Sequence, residues 1–183
     1  PHQHKPMRSN STLIGTPGAG KSTIGIILAK NLSLGFIDTD VLIQINRQQS
    51  LQQLLDNGGH LYLRQIEEEE ICKLNLSRHV IATGGSAAYS KKAMHHLGQS
   101  SHIIFLQVSF DELLKRIRNF DSRGIAKAPE QSFAELFAER QILYQRYAEV
   151  TIPCDGLNQD EIADRIAAEL WPMRLYSASG VPL

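Results

Sequence analysis

Short runs of adjacent apolar residues alternate along the chain with longer stretches in which apolar positions recur every three to four residues. The short runs predict strands at residues 11–15, 35–38, 79–83, 102–107 and 149–152. Those at 11–15, 79–83 and 102–107 are nearly continuous in apolar side chains, as expected of strands covered on both faces. The longer stretches predict helices at 21–31, 41–47, 50–57, 59–76, 91–97, 110–118, 132–147 and 159–170. Regular alternation of strand and helix is the pattern of βαβ units, so the expected class is α/β with a five-stranded, mostly parallel sheet flanked by helices. Ligands of such sheets gather at the carboxyl ends of the strands. The residues just after each strand are therefore the ones that carry chemistry.

The first strand runs into Gly15-Thr16-Pro17-Gly18-Ala19-Gly20-Lys21-Ser22, which fits GxxxxGK[ST]. Phosphate oxygens must approach the main chain closely, so glycines clear side chains away while consecutive N–H groups converge on the anion. Lys21 adds a cation, and Ser22 can offer its hydroxyl to the magnesium ion that accompanies a nucleotide triphosphate. The helix that follows presents its positive end to the same phosphates.

Length and charge narrow the setting. With 183 residues the chain suits one domain, placed at residues 7–171. Residues 1–6 read as an appended leader before a natural start at Met7, and residues 172–183 as a tail without interpretable signal. Lys plus Arg and Asp plus Glu balance at 19 each, so no global field draws the protein to nucleic acid or to a membrane surface. Cys72 and Cys154 stand far apart without metal-ligand spacing and read as reduced, partly buried thiols of a cytoplasmic protein. His79, His95, His96 and His102 lack third ligands at sensible spacing and read as surface or strand-edge histidines.

Further candidates lie at the other strand ends. Asp38 and Asp40 close the second strand two residues apart, which puts both carboxylates on one face; one can reach magnesium or its waters, the other a substrate hydroxyl. Asp40 is also the candidate N-cap of the next helix. Arg64 and Glu67 share a helix face, where the carboxylate can orient a guanidinium whose planar fork suits a carboxylate ligand. Glu68, Glu69 and Glu70 read as solvated face. Gly84 and Gly85 end the third strand and permit close backbone approach. Arg140 could reach inward from the long helix at 132–147. Residues 118–131 break the periodic pattern, and between Lys115 and Lys127 there are five basic residues and one acid, which suggests a loop able to close over phosphates.

Taken in order, GTPGAGKST (15–23), FIDTD (36–40), LRQIE (63–67), ATGGS (82–86), Arg123 and ERQILY (139–144) resemble the shikimate kinase family over residues 13–170. The resemblance implies a three-layer P-loop kinase fold with an acceptor-binding helical segment at about 40–76 and a lid at about 118–131. It implies transfer of the γ-phosphate of ATP to the 3-hydroxyl of shikimate, a carboxylated cyclohexene triol, with magnesium, in a monomer of the cytoplasm. By position, Gly18, Ala19, Gly20, Lys21, Ser22 and Thr23 would bind ATP, with Arg116 beside the adenine. Ser22 and Asp38 would serve the metal. Asp40 would bind the reacting hydroxyl as candidate base, Arg64 and Arg140 would grip the substrate carboxylate, and Gly84 and Gly85 would line the pocket. Arg123 would enter with the lid and stabilise the transferring group.

Four departures stand out: Ser86 replaces the third glycine of the family pattern, Arg123-Gly124-Ile125-Ala126 replaces Arg-Pro-Leu-Leu, Leu63 replaces a phenylalanine, and Gly59-His60 replaces Gly-Glu. They leave open slower turnover of shikimate or a related carboxylated polyol. Two other readings also stay open at this point, a kinase of the same fold acting on gluconate or a nucleoside monophosphate, and a nucleotide-binding module without catalysis.

Overall fold

The computed structural model describes residues 8–116 and 127–171. Strands β1 (Asn10–Ile14), β2 (Gly35–Asp38), β3 (His79–Ala82), β4 (Ser101–Gln107) and β5 (Val150–Pro153) form one sheet in the order β2-β3-β1-β4-β5, parallel throughout. The register sets Leu13 of β1 beside Ala82 on one side and Ile104 on the other.

Because successive strand residues point to opposite faces, each apolar run feeds two cores. Leu13, Val80, Ile104 and Leu106 pack against helices α1 (Lys21–Leu32) and α7 (Gln159–Leu170), joined by Leu113 of α5 (Phe110–Arg116). Ile14, Ile81, Ile103 and Phe105 pack against α3 (Leu51–Cys72), α4 (Lys91–Ser100) and α6 (Phe133–Tyr147). The result is three layers. A smaller core of Ile43, Leu54, Leu63 and Ile66 joins α3 to α2 (Thr39–Arg47) beside the sheet.

Element boundaries shift where local geometry overrides periodicity. The expected helices at 50–57 and 59–76 are one stretch, opened by a Ser50–Gln53 capping box and interrupted at Gly59 (φ 81°, ψ −178°), a conformation only glycine adopts without strain. That stretch stops at Cys72; Leu74 and Leu76 continue the apolar spacing because they pack on the second core from a non-helical segment. A 3₁₀ turn over Ala87–Tyr89, which periodicity does not predict, follows β3.

Two readings of surface and solvent are corrected. Glu70 is 3% exposed, accepting from Asn46 Nδ2 at 2.8 Å and pairing with Arg47 Nε at 3.4 Å, so it fastens α3 to α2 rather than facing solvent. Cys154 is fully buried rather than partly so, and burial pushes its thiol up to about 11.

Candidate active site

The phosphate loop leaves β1 and enters α1 through glycines with positive φ, Gly18 at 86° and Gly20 at 91°, the latter being the N-cap of α1. The first turn of α1 carries neither a side-chain cap nor an acid, so its N–H groups face the loop opening. Lys21 is 8% exposed and bridges the loop, donating from Nζ to the carbonyls of Gly15 (2.6 Å) and Thr16 (2.9 Å). Burial pulls its pKa down to about 8 against the attraction of Asp40.

β2 ends at Asp38, and Asp40 belongs to the first turn of α2 rather than to the strand. Asp38, in extended geometry, is the N-cap, its Oδ1 accepting from the N–H of Asp40 (2.9 Å) and of Val41 (3.2 Å). The cap therefore falls two residues before the position read from the sequence. Oδ2 of Asp38 accepts the Ser22 hydroxyl, joining α1 to β2. Burial, then the charge of Asp38, push the Asp40 carboxyl up to about 6.

β3 delivers the opposite wall. Thr83 is tied to β1 through Leu13 O, by its N–H (3.2 Å) and its hydroxyl (2.9 Å), and the Gly84 N–H donates to Thr39 Oγ1 (3.3 Å). A methyl group on Gly84 would meet carboxylate oxygens of Glu67 and Asp40, the latter at 2.5 Å; one on Gly85 would meet Arg140 Nη1 at 2.6 Å and Pro17 Cδ at 2.7 Å. Both glycines are needed for close approach.

Arg140 is 1% exposed on α6. Tyr144, one turn on, donates its hydroxyl to Gly85 O at 2.5 Å, and burial pushes that phenol above its ordinary range. Arg64 does not pair with Glu67 as the helix spacing suggests. Its Cζ lies 3.5 Å from the ring centre of Tyr89, with Arg140 Cζ 5.5 Å from the same ring. Burial, opposed by Tyr89 and reinforced by Arg140, lowers the Arg64 pKa. Glu67, 4% exposed, accepts instead from Ser86 Oγ at 3.0 Å; burial and then Asp40 push it up to about 8.

A cavity of about 600 Å³ runs from the phosphate loop (Gly18, Gly20, Lys21, Ser22, Thr23) past Asp40, Gly85 and Arg140 to Gln44, Ser50 and Leu63. Arg64 lines an adjoining cavity of about 310 Å³ with Tyr89, and the two share Glu67 and Ser86. A cationic loop, a half-buried base and a buried guanidinium around one polar cavity suit transfer of a phosphoryl group to an anionic hydroxyl compound.

Residues 17–171 match the sequence model of the family described as shikimate kinase. The chain belongs to the shikimate kinase family. It is 30% identical over 162 residues to the shikimate kinase of Sulfurihydrogenibium sp. strain YO3AOP1, covering 88% of this chain and 97% of that one. To the shikimate kinase of Paracidovorax citrulli it is 34% identical over 164 residues, covering 86% and 90%. The structure of the Acinetobacter baumannii shikimate kinase in complex with shikimate superposes with a TM-score of 0.83 at 26% identity, covering 91% of this chain and 95% of that one. Membership of this family makes the chain an ATP-dependent phosphotransferase acting on a hydroxyl group, and the sheet with its flanking helices is the family's P-loop kinase fold.

Of the residues singled out in the sequence, the structure brings Gly18, Gly20, Lys21, Ser22, Thr23, Asp40, Gly85 and Arg140 to one cavity, with Gly84 packed against the Asp40 and Glu67 carboxylates. Ala19 is buried in the core beneath the loop, and Asp38 does not line the cavity but accepts the hydroxyl of Ser22, which does. Arg116 lies against the loop, donating from Nη1 to Gly18 O at 3.4 Å and from Nε to Glu112 at 3.1 Å. Arg123, and with it residues 118–126 of the expected lid, lies outside the described residues. Gln44 and Ser50 in the cavity wall, and Tyr89 beside Arg64, are site residues that the sequence reading lacks. For Tyr89, the only sequence signal is an aromatic residue shortly after a glycine pair, and it reaches the site through the unexpected 3₁₀ turn.

Proposed function

We propose that the protein transfers the γ-phosphate of ATP to the 3-hydroxyl of shikimate, within a single domain over residues 7–171 that uses 40–76 to bind the acceptor and 118–131 as lid. The observation that carries this reading is that Lys21, Asp40 and Arg140 line one cavity contiguous with the phosphate loop. The loop N–H groups and Lys21 hold the triphosphate, and Arg116 flanks the adenine. Arg140 and Arg64, which share Tyr89 as a neighbour, receive the acceptor carboxylate and thereby aim its hydroxyl at Asp40.

With its pKa raised to about 6, Asp40 is still ionised at neutral pH and is a stronger base than an exposed carboxylate. As the acceptor oxygen bonds to the γ-phosphorus and the bond to the leaving ADP oxygen breaks, the hydroxyl proton passes to Asp40. Lys21, and Arg123 from the lid, stabilise the equatorial oxygens. The hydroxyl of Ser22 and the carboxylate of Asp38 are hard oxygen donors already in contact, which fits magnesium; Ser22 would hold the ion directly and Asp38 through water. The ion supplies charge neutralisation at the β and γ phosphates when bound. The family likeness supports a cytoplasmic monomer, and the balance of 19 basic and 19 acidic residues supports a protein without nucleic-acid or membrane-surface partners.

A coupled ADP-release assay over shikimate, quinate, gluconate and the nucleoside monophosphates tests the reading. Shikimate is expected to give the highest kcat/KM. Turnover of gluconate or a nucleotide in its place would overturn it.

A further inference from the structure

The two cavities of the site meet at a wall made by Glu67 and Ser86. Ser86 is 7% exposed, and its backbone (φ −98°, ψ −1°) is open to any residue, so no conformational demand accounts for its side chain. The hydroxyl donates to Oε1 of Glu67 at 3.0 Å, while Oε2 of the same carboxyl group lies against Gly84 next to Oδ1 of Asp40. Both oxygens are therefore turned toward the end of β3. Arg64, three residues earlier on α3, is left without an ion-pair partner among the described residues: its guanidinium lies over Tyr89, and its buried Nε has no hydrogen-bond partner. Glu139, the other acid near this cation, accepts the Tyr89 hydroxyl and Gln131 Nε2.

We propose that Ser86 is a positioning residue for the acceptor: its hydroxyl keeps the Glu67 side chain at the β3 turn and off Arg64, so that Arg64 retains its charge for an anionic group of the acceptor. The inference rests on the kinase reading above. The groups facing Glu67 are Ser86 from the β3 turn, Asp40 from α2, Arg140 from α6 and Lys21 from α1. Without the hydroxyl, the carboxyl group keeps the charge of Asp40 on one side, which opposes its ionisation, and has an unneutralised guanidinium within reach on its own helix face. It turns to Arg64, ionises there, and the resulting pair competes with the acceptor. Ser86 stands where the family pattern has a glycine, which offers no donor, so the departure adds a role rather than removing one.

The test compares Ser86→Ala and Ser86→Thr, each alone and with Glu67→Gln, in steady-state kinetics with acceptor and ATP varied separately. Ser86→Ala should raise the acceptor KM by roughly three- to tenfold while the ATP KM holds, as expected when an interaction with one substrate is weakened. Ser86→Thr should restore it. In the Glu67→Gln background the alanine change should add nothing, because an amide does not neutralise Arg64. An unchanged acceptor KM, an equal rise in both KM values, or the same rise in the Glu67→Gln background would overturn the role. A ligand-free crystal structure of Ser86→Ala decides the geometry without any substrate: Glu67 should lie within about 4 Å of the Arg64 guanidinium, the ordinary reach of an ion pair. A carboxyl group still seated at Gly84 sinks the proposal. Failure of the parent protein to phosphorylate shikimate, with Glu67 displaced in that crystal, sinks the kinase reading and leaves the role of Ser86 standing.

Discussion

Replacing Gly85 by alanine puts one carbon between Arg140 and the phosphate-loop residue Pro17. Gly85 does not have a positive φ, so alanine can adopt its backbone and the effect is one of space alone. The new methyl would lie 2.6 Å from Arg140 Nη1 and 2.7 Å from Pro17 Cδ, short of ordinary carbon contact by about 0.8 Å. Neither neighbour retreats freely. Arg140 is 1% exposed, and Pro17 is part of the phosphate loop. Overpacking of this kind costs about 1–3 kcal/mol of stability. A displacement near 1 Å in a catalytic constellation costs on the order of 100-fold in rate, and that is the loss expected in kcat/KM for the acceptor. Steady-state kinetics tell which side yields: a shifted Arg140 raises the acceptor KM, a shifted loop raises the ATP KM as well. Gly98→Ala is the control, because nothing lies within 4 Å of a methyl there, in the interior of α4; it should leave kinetics unchanged and stabilise by up to about 1 kcal/mol. Gly85→Ala kinetics within threefold of the parent, with the Tm preserved, would refute the convergence of Arg140 and Pro17 on this residue.

Arg140→Lys should raise the acceptor KM by about tenfold and the ATP KM much less, since an ammonium cannot reproduce the two-oxygen grip of a guanidinium; equal rises would count against contact with the acceptor carboxylate. Glu67→Gln should alter how stability depends on pH. The folded protein keeps the Glu67 proton up to about 8, whereas the unfolded chain loses it near the ordinary 4.5, so the parent loses stability as pH rises through that window and no further above it. The Tm of Glu67→Gln relative to the parent should therefore climb from pH 5 to pH 8 and then level, and parallel Tm curves would show that Glu67 is not held protonated.

The layers of the fold can be read from the chain because each depends on a period within one segment. Leu13 and Ile14 alternate between the two cores as a strand must, and the loop at 15–22 carries its own geometry in its glycines. Lys21, Ser22 and the glycines of the loop are legible for that reason. Asp40 reaches the expected cavity from an unexpected element, since the boundary between β2 and α2 is set by which aspartate caps the helix, and both spacings look alike on paper. Tyr89 leaves no periodic trace, because a single 3₁₀ turn repeats nothing.

Arg64 and Glu67 mark where a pattern confined to one helix stops being sufficient. Their spacing predicts an ion pair, and on an exposed helix face such a pair contributes about 0.2–0.5 kcal/mol. Leaving a buried polar group without a partner costs about 1–3 kcal/mol, and Ser86, from a different element, supplies that partner to a carboxyl group only 4% exposed. An ion pair would need Glu67 to ionise where burial and Asp40 oppose it, so the carboxyl group stays with Ser86, and Arg64 turns to the Tyr89 ring, where a partly desolvated cation–π contact contributes roughly 1–2 kcal/mol in place of the pair. A contest between partners from separate strands and helices is settled by the tertiary fold. For this site, the residue that settles it is the one at which the chain departs from its family's glycine pattern.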